Sequence, residues 1–263
     1  MSLFKDWFCT RLTSLKKMTI IIGSLFCVTT SYAMNTGNAW QFNIAPYLWA
    51  TGMSGTEGIG SSRVHINQTF SDIWHDLDWG GMLWLDANKD NLGLFINTMY
   101  VVLSKDVTDG PVSADIKNRF GIFSAGASYE VLRRGALAVS PYAGFRYTLN
   151  DTAVTLNTPL SSLRATDNQH WTDPILGLKL LYNFTRAWSI LLAGDLGGTN
   201  ANDHYSYNVV GLLGYSPQTI FTNTTAYLGY RLLDQHYETG SGSSAFNWNM
   251  KLFGPVLGVS IAF

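Results

Sequence analysis

The chain has 263 residues, of which 46% are hydrophobic and only 13% charged, and its formal net charge is −1. The chain is nearly neutral and its sequence has no basic patch, so its charge gives no indication of nucleic-acid binding. The two cysteines, Cys9 and Cys27, both lie in the first 33 residues, so a chain without that segment has neither a disulfide nor a thiolate metal site.

The N-terminal segment has the three parts of a secretory signal peptide. Residues 1–17 carry four basic side chains, and residues 18–30 form a mostly apolar stretch of 13 residues. Ser31 and Ala33 then supply small residues at the −3 and −1 positions of a cleavage site. Because a membrane-spanning helix needs about 20 apolar residues, we interpret residues 1–33 as a signal peptide and residues 34–263 as the mature domain.

The mature segment has no apolar run of 18 residues, and its hydrophobic residues instead alternate with polar ones. A period of two predicts strands whose two faces meet different surroundings. The most regular segments are 40–50, 92–103, 137–149, 174–184, 220–232 and 255–263. Shorter or less regular segments fill the gaps at 81–88, 116–131, 187–196 and 206–215.

One of these segments, 116–131, does not keep a single parity. Phe120 and Ile122 share the even face, whereas Tyr129 and Val131 share the odd face. A β-bulge near Phe123 would exchange the two faces, and we predict one there.

The connections between the strands predict the topology. Four of them are short, at 88–91, 132–135, 184–187 and 216–217, and they alternate with longer polar segments at 51–79, 104–115, 150–170, 197–205 and 233–244. In transmembrane barrels short turns face the periplasm and long loops face outward. The sequence therefore predicts an all-β, antiparallel transmembrane β-barrel of about ten strands. Eight or twelve strands remain possible, and twelve would follow if residues 57–70 crossed the membrane twice.

Aromatic residues near the predicted strand ends are typical of interfacial girdles. The members of this set are Trp40, Trp49, Tyr100, Tyr129, Tyr147, Tyr182, Trp188 and Tyr230.

The chain ends in a strand that places Leu257, Val259, Ile261 and Phe263 on one face. A final strand that closes on Phe looks like the sorting signal of bacterial outer-membrane β-barrels. We therefore expect recognition by the barrel-assembly machinery and a location in the outer membrane of a Gram-negative bacterium. Outer-membrane lipid would surround the barrel, and we expect a monomer.

Several local motifs resemble a group of uncharacterised proteobacterial outer-membrane β-barrel proteins. They are Ala45-Pro-Tyr-Leu-Trp-Ala-Thr-Gly-Met-Ser-Gly-Thr56, Phe70-Ser-Asp-Ile73, Leu77-Asp78 and Gly254-Pro-Val-Leu-Gly-Val-Ser-Ile-Ala-Phe263. The resemblance is strongest over residues 40–104 and at the C-terminus. It implies a barrel in the outer membrane and carries over no catalytic residue.

The inward parity of the strands collects ionisable residues, because a charge that faced lipid at mid-bilayer would cost about 2–4 kcal/mol for Arg or Lys. They form either an interior salt-bridge network or the lining of a narrow polar pore. The set is Asp86, Arg146, Lys179, Asp195 and Arg231, with Lys117 and Arg119 as further candidates.

The segment 70–79 breaks the strand pattern and predicts a short helix. Ser71 would cap this helix, and Ile73, Trp74 and Leu77 would form its apolar side. The helix would either plug the barrel mouth or rest on the rim. The nearby His65, His75, Asp76 and Asp78 match no metal-binding spacing.

Candidate catalytic side chains also lie in or near the predicted outer loops. They are Asp106, Asp109, Asp195, Asp203, His204 and Ser206. The chain contains no Gly-x-Ser-x-Gly, phosphate-loop or HExxH motif, so we expect neither an enzyme nor a cofactor. The function expected from the sequence is a narrow pore or a structural and surface role. The alternatives are a surface-binding, adhesin-like barrel and an outer-membrane hydrolase.

Overall fold

The computed structural model describes residues 39–217 and 223–263, so the predicted signal peptide lies outside the described residues. The elements in chain order are β1 (Gln41–Trp49), β2 (Gly52–Ile59), β3 (Ser62–Gln68), α1 (Phe70–Asp76), β4 (Leu77–Lys89), β5 (Leu92–Asp109), β6 (Val112–Tyr129), β7 (Leu132–Arg134), β8 (Leu137–Asn157), β9 (Ser162–Asn183), β10 (Trp188–Asn200), β11 (His204–Tyr215), β12 (Thr224–Thr239), a short 3-10 helix (Gly242–Ser244) and β13 (Phe246–Ala262). Within the described ranges, no helix has the length and apolar character needed to cross a bilayer.

Ten of these strands close into one antiparallel barrel, as the sequence predicts. The strand order is β1-β4-β5-β6-β8-β9-β10-β11-β12-β13, and β1 pairs with β13 to complete the circle. The closing register joins Asn43 to Ala262 and Trp49 to Val256. Closure leaves the membrane-spanning sheet without unpaired edges. This is required in lipid, because the hydrocarbon offers no hydrogen-bond partner for an unpaired backbone N–H or C=O group.

The segment 57–70 does not cross the membrane, because it belongs to a hairpin that stands above the barrel. Strand β2 pairs with the first half of β13, from Phe246 to Phe253, and β3 pairs with β2. The second half of β13 pairs with β1. β1 and β2 thus pair with successive parts of the same strand, β13. The β2–β3 hairpin therefore adds no strand to the closed barrel, and the strand number is ten and not twelve.

Alternate residues of each barrel strand face opposite sides, and β13 shows this most clearly. Leu257, Val259, Ile261 and Phe263 are exposed on the outside. The residues that alternate with them face the lumen, where Val256 and the glycine at 258 are buried. The exposed aliphatic row is the surface that faces hydrocarbon in a transmembrane barrel.

The segments predicted as long outer loops are mostly strand. β5 and β6 continue to Asp109 and from Val112, and β8 and β9 continue to Asn157 and from Ser162. β-branched residues such as Val154 and Thr155 favour the extended conformation there. The barrel wall therefore rises beyond the apolar band as two long hairpins whose connections are the short segments 110–111 and 158–161.

Three predictions of side-chain direction were wrong. β6 keeps an unbroken register with both neighbours, so there is no bulge at Phe123. Phe120 and Ile122 instead face the lumen and are buried there, whereas Lys117 and Arg119 are exposed on the outside. Trp49 is also inside and not in a girdle, since its side chain is 1% exposed. The predictions assumed a polar lumen, whereas the part of the lumen around Phe120, Ile122 and Trp49 is apolar.

Candidate functional site

The upper part of the lumen is filled by a layer of apolar and aromatic side chains, which we call the apolar layer. Its members are Trp49, Met99, Phe120, Ile122, Trp171, Leu233, Phe246, Trp248, Met250, Leu252 and Val256. They come from six barrel strands and meet across the axis: Trp248 stacks on Phe120 with ring centroids 5.7 Å apart and lies 5.8 Å from Trp171. Met250 and Leu252 are 0% exposed, so the strands themselves close the barrel at this level.

A buried ion pair lies next to the apolar layer. The Arg146 guanidinium donates from Nη2 to Asp195, and both side chains are almost completely buried. The other carboxylate oxygen of Asp195 accepts hydrogen bonds from Tyr142 (2.9 Å) and from Asn208 (2.8 Å). Asp195 therefore has three donors, and its negative charge is fully compensated within the lumen.

A second buried cation, Arg231, has a different environment. Its Nε donates to Asn208 (2.8 Å), and its Nη1 lies 3.3 Å from the Asn97 carbonyl oxygen and 3.5 Å from the Tyr47 hydroxyl. The Trp49 ring covers one face of the guanidinium, with 4.7 Å between Cζ and the ring centroid. Among residues 39–217 and 223–263, no carboxylate lies within 4.0 Å of it. The hydrogen-bond partners of Arg231 are therefore all neutral side chains.

The candidate catalytic pair His204 and Ser206 joins a third polar cluster. A bulge in β10, where Gly198 has a φ of 112°, precedes the turn into β11. His204 Nε2 contacts Asp173, and the Ser206 hydroxyl donates to the same carboxylate at 2.9 Å while accepting from Arg146 Nη1 at 3.1 Å. Ser206 therefore donates its proton to the Asp173 carboxylate and is 2% exposed, and His204 contacts the same carboxylate.

A cavity of about 150 Å³ lies on the periplasmic side of the ion pair. Five of the seven ionisable residues that the sequence places on the inward parity line it, namely Asp86, Arg146, Lys179, Asp195 and Arg231. Most of the remaining wall is aliphatic or aromatic, with Phe95, Leu191, Val210 and Leu212 among its members. The described residues thus place the predicted lumen charges around one cavity, on the periplasmic side of the apolar layer.

The short helix α1 lies on the rim. It contacts the β2–β3 hairpin and β5, and Ile73 is its buried residue, whereas Ser71 and Trp74 are exposed. Thr69 and not Ser71 is the N-cap, because the Thr69 hydroxyl accepts from the Asp72 backbone N–H while the Asp72 carboxylate accepts from the Thr69 N–H. The helix ends at Asp76, and Leu77 begins β4. Since Ile73 is not part of the apolar layer, the helix covers the rim and does not form the plug.

Sequence reasoning missed the neutral residues that hold the charges. Tyr47, Asn97, Tyr142 and Asn208 each donate to, or accept from, a buried charged side chain. Their common signal is a polar side chain on the inward parity of a strand, which is the signal used for the charges. Within the described ranges, no group of three or more His, Cys, Asp or Glu is arranged to hold a metal ion.

Comparison with known proteins shows the fold. No family model and no curated protein matches this chain. Among solved structures, the outer-membrane protease OmpT of Escherichia coli is 10% identical with a TM-score of 0.54, over 87% of this chain and 98% of that one. The translocator domain of the autotransporter NalP of Neisseria meningitidis is 10% identical with a TM-score of 0.37, over 97% and 94%. Ail of Yersinia pestis, in complex with a heparin analogue, is 9% identical with a TM-score of 0.35, over 86% and 99%. The chain has the fold of an outer-membrane β-barrel protein.

Proposed function

We propose that the mature protein lies in the outer membrane of a Gram-negative bacterium as a closed barrel, and that it acts through its outer hairpins rather than by conducting solutes. A leader removed after Ala33 and assembly through the C-terminal strand are parts of this proposal. The exposed row that ends at Phe263 supports the membrane location.

The observation that carries the proposal is the apolar layer. A pore for polar solutes needs a continuous polar path, and solutes in such a path stay hydrated. Here Trp248 is 1% exposed, and Met250 and Leu252 on the same face of β13 are fully buried. Displacing such a layer would remove several large side chains from contact, at a cost of about 3–5 kcal/mol for each aromatic residue.

The outer hairpins carry exposed apolar residues well away from the lipid-facing band. Leu160, in the connection between β8 and β9, is 97% exposed, and Leu163 is 67% exposed. The neighbouring hairpin of β5 and β6 exposes Val107 and Val112. β6 and β8 pair up to Asn157, so both tips belong to one rigid sheet. Apolar groups displayed on a rigid support are typical of a protein-binding surface.

Catalysis is not part of the proposal. Ser206, the candidate nucleophile two residues after His204, is hydrogen-bonded to Asp173 and Arg146 and is buried. The proposed role therefore depends on shape and surface, and it requires no cofactor.

Two measurements on the refolded mature protein test the proposal, after the heat-dependent gel shift has shown that the barrel is folded. In planar bilayers we expect no steady conductance steps, and steady steps would overturn the closed-barrel part. Bacteria displaying the protein should adhere to a panel of immobilised extracellular-matrix proteins, and the double variant Leu160→Ser/Leu163→Ser should reduce that adhesion at least several-fold. The matched control, Val131→Ser/Leu132→Ser, removes two exposed apolar residues at the periplasmic end and should not. Equal adhesion of the two variants would count against the surface role.

A further inference from the structure

The cavity below the apolar layer combines a limited volume with an uncompensated charge. It measures about 150 Å³, which is close to the size of an apolar cavity that holds one benzene molecule and well below the roughly 300–1,000 Å³ of pockets for drug-sized ligands. Its ligand must therefore be small.

The side chains that line the cavity also carry a net positive charge. Three cationic side chains and two carboxylates line it. Asp195 is compensated by Arg146, Tyr142 and Asn208, and Asp86 and Lys179 supply one charge of each sign. Arg231 is left as the excess positive charge. A buried cation that lacks a carboxylate is costly, and an anion in contact with it would recover that cost.

The guanidinium of Arg231 is preorganised for such an anion. Trp49 covers one face, while Asn208, Asn97 and Tyr47 engage Nε and Nη1. The described residues give Nη2 no hydrogen bond, and Arg231 is 7% exposed overall. The Nη2 group can therefore donate to a bound anion, and charge-assisted hydrogen bonds from a guanidinium to a carboxylate are among the strong ones.

We propose that this cavity binds a small apolar monocarboxylate whose carboxylate contacts Arg231. The apolar part would pack on Phe95, Leu191, Val210 and Leu212, which form an aliphatic and aromatic part of the cavity wall. Entry is from the periplasmic end, because the apolar layer closes the other end. The proposal does not depend on the role of the outer hairpins.

The test uses 4-fluorobenzoate as the ligand and the refolded protein in lipid nanodiscs, with binding followed by fluorine NMR. We expect saturable broadening with the wild-type protein and at least tenfold weaker binding of the neutral analogue 4-fluorobenzyl alcohol. Arg231→Gln should weaken 4-fluorobenzoate binding at least tenfold. The control Lys251→Gln removes one positive charge from the outer surface of β13, where Lys251 is exposed beside Asp234, and should leave binding unchanged.

A second variant protects the test against misfolding of Arg231→Gln. Ala193→Leu fills the cavity from β10 without altering a charge, and it should abolish binding while the heat-dependent gel shift is retained. Equal binding of the acid and the alcohol, unchanged binding in Ala193→Leu, or no binding to a folded wild-type barrel would each overturn the proposal.

Discussion

Arg231 lies against Trp49, with 4.7 Å between its guanidinium carbon and the indole centroid, at the boundary between the apolar layer and the cavity. The two residues come from β12 and β1. Trp49 belongs to the apolar layer and Arg231 lines the cavity, so their contact connects these two parts of the lumen. The cation–π contact is worth about 2 kcal/mol or more when desolvated. It helps to stabilise a buried arginine whose hydrogen-bond partners are all neutral.

Removing the ring that fills the axis should open the barrel. Trp248→Ala takes away the side chain that stacks on Phe120 and contacts Trp171, and we expect it to lower the free energy of unfolding by about 3–5 kcal/mol. Conductance steps absent from the wild-type protein should appear in planar bilayers. Phe253→Ala, which alters an outward-facing residue of the same strand, is the control and should stay silent. A folded Trp248→Ala barrel that also stays silent would show that other members of the layer suffice to close it.

Breaking the buried ion pair should be far more costly than breaking an exposed one. Arg146→Ala leaves Asp195 charged and buried, so we expect a loss of about 3–5 kcal/mol in the free energy of unfolding. Arg133→Ala breaks the exposed pair with Glu130 and should cost about 0–1 kcal/mol. Urea unfolding in lipid vesicles measures both.

The ion-pair variants have an internal check. Arg146→Leu/Asp195→Leu removes both charges, and it should recover part of the loss seen in Arg146→Ala. A double variant that is less stable than the single one would mean that the hydrogen bonds from Tyr142 and Asn208 matter more than the unpaired charge.

Glu57, on β2 above the membrane-spanning part, should make stability depend on pH. Burial raises the pKa of Glu57 above its usual value of 4.5, the nearby Asp167 raises it further, and the hydrogen bond from Asn150 lowers it. The folded state therefore holds its proton more tightly than the unfolded state. The stability that this proton contributes is present below the usual pKa and is lost as the pH rises through the raised value.

Glu57→Gln should abolish this dependence, because the amide keeps an acceptor for Asn150 and cannot ionise. We expect the variant to be more stable than the wild-type protein at neutral pH and equal to it at acidic pH, as measured by the urea midpoint. Asp106→Asn, at an exposed position of β5, should not change the pH profile. The wild-type midpoint should therefore fall relative to that of Glu57→Gln as the pH rises through the raised pKa. Midpoints of the two proteins that change with pH in the same way would contradict the assignment.

The capping box of α1 should be visible as a local pKa effect. Hydrogen bonds from the side chain and the backbone of Thr69 lower the pKa of Asp72. Thr69→Ala should raise this pKa towards its usual value, because the hydroxyl donor is lost while the backbone donor remains. NMR titration of the Asp72 carboxyl carbon measures the shift. Ser71→Ala should leave the pKa of Asp72 unchanged, and an equal shift in both variants would argue against Thr69 as the cap.

The sequence alone predicts the architecture because the membrane imposes a local rule. Every strand must expose apolar side chains to lipid, so a single segment such as Leu257 to Phe263 already shows the alternation of a membrane strand. The short and long connections alternate along the chain and predict the topology. These features led to ten strands and to the inward parity of Arg146 and Arg231, and the ten-stranded barrel is confirmed.

Only the tertiary structure decided what fills the lumen. Alternation separates the two faces of a strand, but it cannot assign an apolar residue to lipid when both sides are apolar. Phe120 and Ile122 therefore suggested a bulge, and Trp49 suggested a girdle. Their partners, such as Trp248, lie far away in sequence. Closure of the barrel brings these side chains together, and their burial against one another away from water stabilises them inside the lumen.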